Sequence, residues 1–441
     1  MLEKAGIPAV PIITDVFEST AKEMAQLWGV PDFRFVMMPH PLATLTTVGI
    51  EQRADALIEK IRSLLQKGQP PETRAFREEK EWTKEGAPVV SQAEGEVCIP
   101  VNASEQIEFC YARGWTDGLP VVPATRNLVE DMLEAGGLRP DAVIAEMPSR
   151  NASVTAGKVA INAVMAGCKP EYMTVVVAAI KALATPEFVL HHVASGLSGA
   201  TIMILVNGPI ARKLAINATN NVFGPGVRAN ATIGRTLRLV LLNCLNYTPG
   251  VSDRATMGTP GKYTCCIAEN EENHPWEPWH VERGFKPEDS TVTLVAASSM
   301  LQVWNYGNHE QLLRSIGDAL SFLGSIAILD QTPGAVILSG EHAESLRASG
   351  WSKKQVREFI VEHTGRTVAD LKRAGRIDGE ITAKDETTLH YAMGTPEDLM
   401  LICAGSPIGT LSMVLPGFSM EKGAGRSAII RVEEPAATSF R

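Results

Sequence analysis

The feature that most constrains the fold is a set of short apolar segments that each end at a small or polar turn. Apolar runs of this length, bounded by turn residues, are typical of buried strands. Because segments of helical periodicity lie between them, the sequence predicts an α/β fold with mainly parallel sheets covered by helices. The segments are Thr201 to Val206 before Asn207-Gly208-Pro209, Thr291 to Ala296 before Ala297-Ser298-Ser299, Ala335 to Leu338 before Ser339-Gly340, and Leu399 to Cys403 before Ala404-Gly405-Ser406.

The chain of 441 residues is too long for one ordinary hydrophobic core, so we expect several domains. The predicted division is an α/β fragment (1–67), a charged and proline-containing linker (68–96), a main α/β domain (97–325) and a second α/β domain (326–441). The segments Ile204 to Ile210 and Leu401 to Ile408 read alike. Each is followed by a loop with glycine and arginine, Gly226 to Arg228 in one case and Gly423 to Ser427 in the other. This likeness predicts a possible duplicated α/β unit.

Composition limits the classes of function. The hydrophobic fraction of 45% and the charged fraction of 21% are those of a soluble globular protein, and the net charge of -9 argues against a nucleic-acid partner. The first residues, Met1 to Thr14, contain no continuous apolar core of a signal peptide, and no apolar run is long enough to span a membrane. We therefore expect a cytoplasmic protein, and the large apolar strands favour a homo-oligomer.

Cysteine usage and glycine motifs bear on redox state and cofactors. The seven cysteines are odd in number and widely spread, which indicates reduced thiols instead of a disulfide framework. The sequence contains no Walker loop, and no glycine motif of the dinucleotide-binding type follows a strand. No nucleotide cofactor is therefore expected.

A glycine- and arginine-rich run, Phe223 to Arg235, leads directly into an apolar helical stretch. Glycines expose backbone N–H groups, a helix N-terminus attracts negative charge, and two arginines add full charges. Asn230 or Thr232 is the predicted N-cap. The run predicts a site for a small carboxylate or phosphate, or else a structural loop with solvated arginines. A strand end at Asn207 and a second polar turn add to this site. In that turn, Arg113 and Asp117 either orient a ligand or pair with each other. The predicted ligand-binding residues are Gly224, Gly226, Arg228, Asn230, Thr232, Arg235, Asn207, Asp117 and Arg113.

The stretch from Lys262 to Arg283 concentrates thiols, imidazoles, carboxylates and tryptophans. Three interpretations stay open. A divalent metal, the one cofactor considered, would use imidazole and carboxylate ligands; a nucleophilic or redox thiol would work beside an acid–base group; an acidic loop would be held to the core by Trp276 and Trp279. Adjacent cysteines on a strand point to opposite faces, so at most one lines a pocket. The candidate metal ligands are His274, His280, Glu269 and Glu271, and the candidate catalytic residues are Cys266, Cys265, Glu269 and His280.

Two resemblances add to this interpretation. Leu2 to Val10, with the later turn Pro39-His40-Pro41-Leu42, resembles the bacterial UGSC family of cysteine or selenocysteine proteins over residues 1–67. It is also similar to the B-type selenoprotein subunits of glycine, betaine and sarcosine reductases. In those relatives a redox motif precedes the segment, and it is absent from this sequence. The resemblance implies that the redox residue is lost, is supplied by a partner subunit, or lies upstream of an incorrectly assigned start.

The second resemblance covers about 106–441 and implies only that this region resembles the long C-terminal part attached to such proteins. It is carried by Arg113 to Pro123, Lys158 to Cys168, Phe223 to Arg235 and Pro275 to Arg283. Together the patterns predict an enzyme or enzyme subunit that cleaves a carbon–heteroatom bond of a small anionic metabolite, reductively or lytically, with thiol or selenol chemistry. The alternatives are a metal-dependent hydrolase or lyase and a non-catalytic subunit of a larger reductase.

Overall fold

A computed structural model describes residues 2, 6–40, 42, 45–70, 102–419 and 427–433. Most of the predicted linker (71–96) and most of the second glycine–arginine loop (423–426) lie outside these residues. The strands are β1 (Ile12–Thr14), β2 (Val36–Met38), β3 (Val143–Met147), β4 (Ala152–Thr155), β5 (Thr201–Asn207), β6 (Cys266–Ala268), β7 (Thr291–Ala297), β8 (Leu301–Trp304), β9 (Gly334–Leu338), β10 (Gly365–Thr367), β11 (Leu389–Tyr391), β12 (Leu399–Cys403), β13 (Leu411–Leu415) and β14 (Ala428–Arg431).

Helices occupy most of the sequence between these strands, so the general α/β class is confirmed. Short 3-10 helices adjoin several of them, among them Glu271–Asn273. The α-helices are α1 (Glu18–Leu27), α2 (Thr47–Asp55), α3 (Ile58–Lys67), α4 (Ala103–Ala112), α5 (Arg126–Gly136), α6 (Ala156–Ala166), α7 (Met173–Leu183), α8 (Leu190–Ser195), α9 (Pro209–Lys213), α10 (Arg228–Asn243), α11 (Trp279–Glu282), α12 (His309–Leu320), α13 (Ala327–Asp330), α14 (Gly340–Ser349), α15 (Lys353–Glu362) and α16 (Val368–Arg373).

Two four-stranded sheets form the centre of the fold. The first has the order β6-β5-β7-β14 and the second β12-β9-β13-β8. In each sheet the first two strands are parallel and each later neighbour is antiparallel. The prediction of mainly parallel sheets is therefore wrong for both of these sheets. Their mixed pairing arises from long-range contacts between strands, which local periodicity does not encode.

The two sheets pack face to face, and helices cover their outer faces. Side chains such as Met203 and Leu205 of β5 share one buried cluster with Ile337 of β9 and Ile402 of β12. The other face of the first sheet packs on α5, α6, α7 and α10, and that of the second sheet packs on α12, α14 and α15. The result is a four-layer arrangement of helix, sheet, sheet and helix, with an apolar core between every pair of layers.

The two sheets have the same strand order and the same relative strand directions, which supports the predicted duplication. The strands that correspond, however, are not those that the sequence likeness matched. β5 corresponds to β9 and β6 to β12, so the likeness drawn between 204–210 and 401–408 matches non-equivalent strands. Each half also contributes its last strand to the other sheet, because β8 joins the second sheet and β14 joins the first. The predicted boundary at 325/326 therefore does not separate the two sheets.

The segment 1–67 forms a small unit on the body of the protein. β1 and β2 are parallel partners, and α1 lies between them in the chain, which agrees with the prediction of an α/β fragment over 1–67. The unit contacts the body through Glu23, whose Oε1 lies 3.2 Å from Nη2 of the buried Arg150. Thr20 Oγ1 also donates to the carbonyl oxygen of Val251. These contacts fix α1 against the loop that follows α10.

The apolar helices of this protein are short. Among the described residues, no single helix is long and apolar enough to cross a membrane. Pro170–Leu183 and Pro186–Ser195 reach that length and composition only when taken together, and the pair is bent by 69°. The side chains of α7 within it are mostly buried in the layer beneath the first sheet.

Candidate functional site

A group of buried polar side chains lies where β5 and β6 end. The strands are parallel neighbours, so their carboxyl ends meet at one edge of the sheet, where ligands of α/β proteins commonly bind. Asn207 ends β5 and Glu269 follows β6, and both are buried. The Asn207 amide Nδ2 donates to Glu269 Oε2 at 2.5 Å and to Glu271 Oε1 at 3.1 Å. We call Asn207, Glu269, Glu271, His274 and His280 the polar centre.

Glu269 and His274 face each other inside this centre. Glu269 Oε2 also accepts from the backbone N–H of Trp279 at 2.9 Å. Its other oxygen, Oε1, lies 3.0 Å from His274 Nε2, and both side chains are completely shielded from solvent. His274 Nδ1 accepts from the backbone N–H of Trp276, so a neutral ring carries its proton on Nε2, the atom that faces the carboxylate. This arrangement places an imidazole nitrogen directly beside a carboxylate oxygen.

Glu271 and His280 form the second half of the polar centre. Glu271 Oε1 accepts from the backbone N–H of Gly208 at 2.6 Å and lies 3.8 Å from His280 Nδ1. The His280 ring is fully buried, whereas 14% of the Glu271 side chain is exposed. Glu271 is therefore the member of this pair that has contact with solvent.

Several atoms of the polar centre have no hydrogen-bond partner. Burying such an atom costs about 1–3 kcal/mol, and most native structures contain few of them. Their concentration at one place calls for a role in chemistry or binding. The atoms are Asn207 Oδ1, His280 Nδ1 and His280 Nε2. Glu269 Oε1 and His274 Nε2, which are 3.0 Å apart, have only each other.

The segment 270–283, here called the strap, carries both histidines and is tied to the second half of the fold. The backbone N–H of Asn270 donates to the Cys403 carbonyl oxygen at the end of β12, at 2.8 Å. Trp276 Nε1 donates to the Trp351 carbonyl oxygen at 3.0 Å, and Lys353 Nζ donates to that of Glu277 at 3.2 Å. The polar centre is therefore closed by a segment that is anchored on the second half of the fold.

A buried ion cluster holds the far end of the strap. The Glu282 carboxylate accepts from both Nη atoms of Arg357, at 2.5 and 3.0 Å, and lies 2.5 Å from Lys353 Nζ. Burial by itself would raise the pKa of Glu282, but the hydrogen bonds and charges of Arg357 and Lys353 outweigh it, so the pKa lies below its ordinary value. Arg283 stacks 4.0 Å above the Trp279 ring and completes the contact.

The adjacent thiols lie in apolar core instead of the polar centre. Cys265 packs between the two sheets and Cys266 packs under the helices, which confirms that they point to opposite faces. Burial raises the pKa of Cys265 to about 12 and that of Cys266 well above its ordinary value. The thiolate is the nucleophilic form, so neither cysteine has the surroundings of a reactive residue. The cavity beside Cys265 measures about 30 Å³, room for about one water molecule.

The glycine–arginine run also differs from the prediction. α10 begins at Arg228 with Val227 as its N-cap residue, so the capping role of Asn230 or Thr232 is wrong. The Asn230 side chain is buried and accepts from Asn217 N at 2.8 Å while donating to the Cys266 carbonyl oxygen. It fixes a loop to β6, and Thr232 bonds back to the Arg228 carbonyl oxygen within the helix. Gly224 and Gly226 precede this helix in a loop, where Gly226 has a φ of 125°.

The two arginines of this run are engaged by the protein itself. Arg235 forms a two-pronged pair with Asp117, at 2.9 and 2.8 Å, and donates to the carbonyl oxygens of Leu119 and Pro120. Arg228 Nε donates to the Gly167 carbonyl oxygen at 2.9 Å. Arg113 lies over the rings of Phe109 and Trp115. These contacts fix the turn around Asp117 to α10 and lie apart from the polar centre.

The four predicted metal ligands are not arranged around a common point. In the part of the chain that the structure describes, no group of three or more His, Cys, Asp and Glu side chains is placed to hold a metal ion. The four predicted ligands do belong to one cluster, but as two facing pairs bridged by Asn207. The chemistry that this geometry offers directly is proton transfer.

Comparison with known proteins gives one match. Residues 1–67 match the UGSC family. No curated protein and no solved structure matches the chain. The polar centre lies wholly outside the matched segment, so its function is argued from geometry.

The sequence analysis named every member of the polar centre as a candidate, but it placed Asn207 with the glycine–arginine run and the other four in 262–283, and it missed what holds them. Glu282, Lys353 and Arg357 were not predicted as site residues, and neither was the backbone N–H of Trp279. The lysine and arginine lie on α15, more than 70 residues along the chain from Glu282. An isolated charged pair on a helix gives no local signal of such a contact.

Proposed function

We propose that this chain is an enzyme, or the catalytic subunit of one, that cleaves a carbon–heteroatom bond of a small metabolite by proton transfer. The observation that carries the proposal is the facing pair of Glu269 Oε1 and His274 Nε2, which are 3.0 Å apart on side chains that are completely shielded from solvent. Catalysis by a positioned acid or base contributes about 10²–10⁴-fold to a rate.

The roles follow from the contacts of each residue. Glu269 takes a proton from the carbon next to the bond that breaks, and the electrons of that C–H bond form a double bond as the carbon–heteroatom bond breaks. Glu269 and His274, whose Nε2 faces it, then deliver the proton to the departing heteroatom. Asn207 bridges the two carboxylates through its amide, and Glu271 with His280 exchanges protons with solvent. The strap must move to admit a substrate, because the side chains of the facing pair have no exposed surface.

This proposal favours lytic over reductive cleavage. Cys265 and Cys266 are buried thiols with raised pKa values, so a reductive reaction would depend on a thiol or selenol from a partner subunit. The resemblance of residues 1–67 to reductase subunits is the support for that partner. The predicted anionic substrate and cytoplasmic location belong to the same proposal.

A second candidate is a non-catalytic subunit, and the complete burial of the facing pair favours it. In that case the polar centre only holds the strap closed. A metal-dependent hydrolase is less well supported, because the described residues offer no group of three ligands. Elemental analysis of the purified protein is the check on that alternative.

The test is a comparison of purified variants against a panel of small hydroxy-, amino- and halo-carboxylic acids, with substrate loss followed by mass spectrometry. The wild-type chain is expected to convert at least one compound, and Glu269→Gln to lower that rate by at least about 100-fold. Glu272→Gln is the matched control, since this neighbouring glutamate has a side chain that is 76% exposed.

Two outcomes would overturn the proposal. One is a wild-type rate in Glu269→Gln, which would exclude this carboxylate from the reaction. The other is a correctly folded wild-type chain that converts none of the compounds, which would favour the non-catalytic subunit.

A further inference from the structure

An exposed apolar patch lies at the outer edge of the second sheet and plays no part in the proposed function. β8 is the last strand of that sheet, and Trp304 ends it with its side chain exposed. The Trp304 and Tyr306 rings are 5.3 Å apart. We call the group Trp304, Tyr306, Ile408 and Leu411 the aromatic patch; these side chains are 66%, 75%, 77% and 41% exposed.

The patch lies on the face of the second sheet that is covered by the first sheet elsewhere. Leu411 lies opposite Trp304 in the register of β13 and β8, and Met413 follows on the same face of β13. Met413 packs into the core between the two sheets. Val303, which points to the other side, is buried under the helices. The apolar face therefore extends beyond the area that the first sheet covers.

The two segments that carry the patch contain no charged residue. The segments 290–308 and 399–419 contain no Lys, Arg, Asp or Glu, although these residues make up 21% of the chain. Natural proteins usually protect an exposed edge strand with charged side chains. A surface that is rich in aromatic residues and depleted of charge is instead typical of the centre of a protein–protein interface.

We propose that the aromatic patch is the interface between two copies of this chain. The patch offers no charge with which to select an oppositely charged partner, and the surface of matching chemistry is the same patch on a second copy. Two copies meeting around a two-fold axis place it against itself, which is the commonest symmetry of soluble oligomers. Side chains of this size expose on the order of 500 Å² per copy, a large part of the ~800 Å² per partner of a stable interface.

The experiment measures the mass of the full-length chain by light scattering during size exclusion, over a range of micromolar concentrations. The monomer has a mass of 47.5 kDa, so the wild-type chain is expected at about 95 kDa. Trp304→Lys and, separately, Tyr306→Lys are expected to weaken the dimer by at least about 30-fold and to shift the mass to that of the monomer. Both side chains are exposed, so neither change is expected to affect folding.

Met257→Lys is the matched control, because Met257 is an apolar residue that is 92% exposed outside the patch. This variant is expected to remain dimeric. A wild-type chain of 47.5 kDa at every concentration would overturn the proposal. An unchanged dimer in both patch variants would overturn it equally, since it would place the interface elsewhere.

Discussion

Each central sheet contains one pair of parallel strands, β5 with β6 and β9 with β12, and the carboxyl ends of the two pairs differ in chemistry. We call the end of β5 and β6 the first end and that of β9 and β12 the second end. At the first end, Asn207 and Glu269 belong to a cluster with unpaired buried atoms. At the second end the equivalent positions are Ser339 and Ala404, and the Ser339 hydroxyl donates to the Gly409 carbonyl oxygen at 2.8 Å. Gly340 N also donates to the carbonyl oxygen of Ser406.

This difference shows how two sheets of the same strand order can have different roles. The second end uses small residues whose hydrogen bonds close on the local backbone, so it adds stability without offering reactive groups. The first end keeps polar atoms unsatisfied at a cost in stability, which is a feature of functional sites. The second half still takes part, because Lys353 and Arg357 of α15 anchor the strap that closes the first end.

The largest expected effect compares one glycine at each end. Gly208 has a φ of 83°, and a Cβ there would lie 2.2 Å from the Asp289 carbonyl oxygen; a Cβ on Gly340 would lie 2.5 Å from Pro407 Cα without a positive φ. Of these two glycines, only Gly208 combines backbone strain with steric overlap. Gly208→Ala is therefore expected to lower the free energy of unfolding by about 3–5 kcal/mol, and Gly340→Ala by about 1–3 kcal/mol.

Urea unfolding of both variants measures this difference. Gly114→Ala is the control, since Gly114 has a φ of 68° but open space around it, and a loss of about 1 kcal/mol is expected. A loss in Gly340→Ala equal to that in Gly208→Ala would contradict the stronger constraint at the first end.

A smaller effect concerns the anchor between the two halves. Glu282→Gln leaves Arg357 and Lys353 buried without their carboxylate and is expected to cost about 3 kcal/mol at neutral pH. The pKa of Glu282 is lowered in the folded state, so its stabilisation is fully present above the unfolded pKa of about 4.3 and is lost as pH falls through the folded pKa. The difference in Tm between wild type and variant should therefore shrink below about pH 4.

Thermal unfolding at several pH values tests this dependence. Glu272→Gln removes a neighbouring, exposed carboxylate and should leave a small difference that does not vary in the same way. A gap between wild type and Glu282→Gln that stays constant down to acidic pH would show that the ion cluster does not stabilise the strap.

The two ends also show what the sequence could predict. β5, β7, β9 and β12 were predicted because a buried strand bounded by turns is a local signal. Asn207 and Glu269 were each predicted as site residues but in separate groups. Their meeting depends on the parallel pairing of β5 with β6, which the sequence analysis did not predict. The exchange of β8 and β14 between sheets, by contrast, depends on pairings across more than 100 residues, and so had no local signal.

The predicted N-cap shows the opposite limit of local reasoning. Asn230 is a residue type that favours caps, and it lies close to the start of α10. Its side chain instead fixes the loop at Asn217 to β6. Tertiary hydrogen bonds outweighed a local preference that is worth only about 1 kcal/mol.

The smallest expected effect is an absence of reaction at the thiols of both ends. Burial raises the pKa values of Cys265, Cys266 and Cys403, and the charge of Glu269 raises that of Cys403 further. In the folded chain at pH 8 all three are protonated and shielded, so iodoacetamide should leave them unmodified, whereas the chain in urea should react at each. Peptide mass spectrometry after brief labelling measures this. Selective modification of Cys265 or Cys266 in the folded chain would mean that the first end contains a reactive thiol. Modification of Cys403 alone would mean that the reactive thiol lies at the second end.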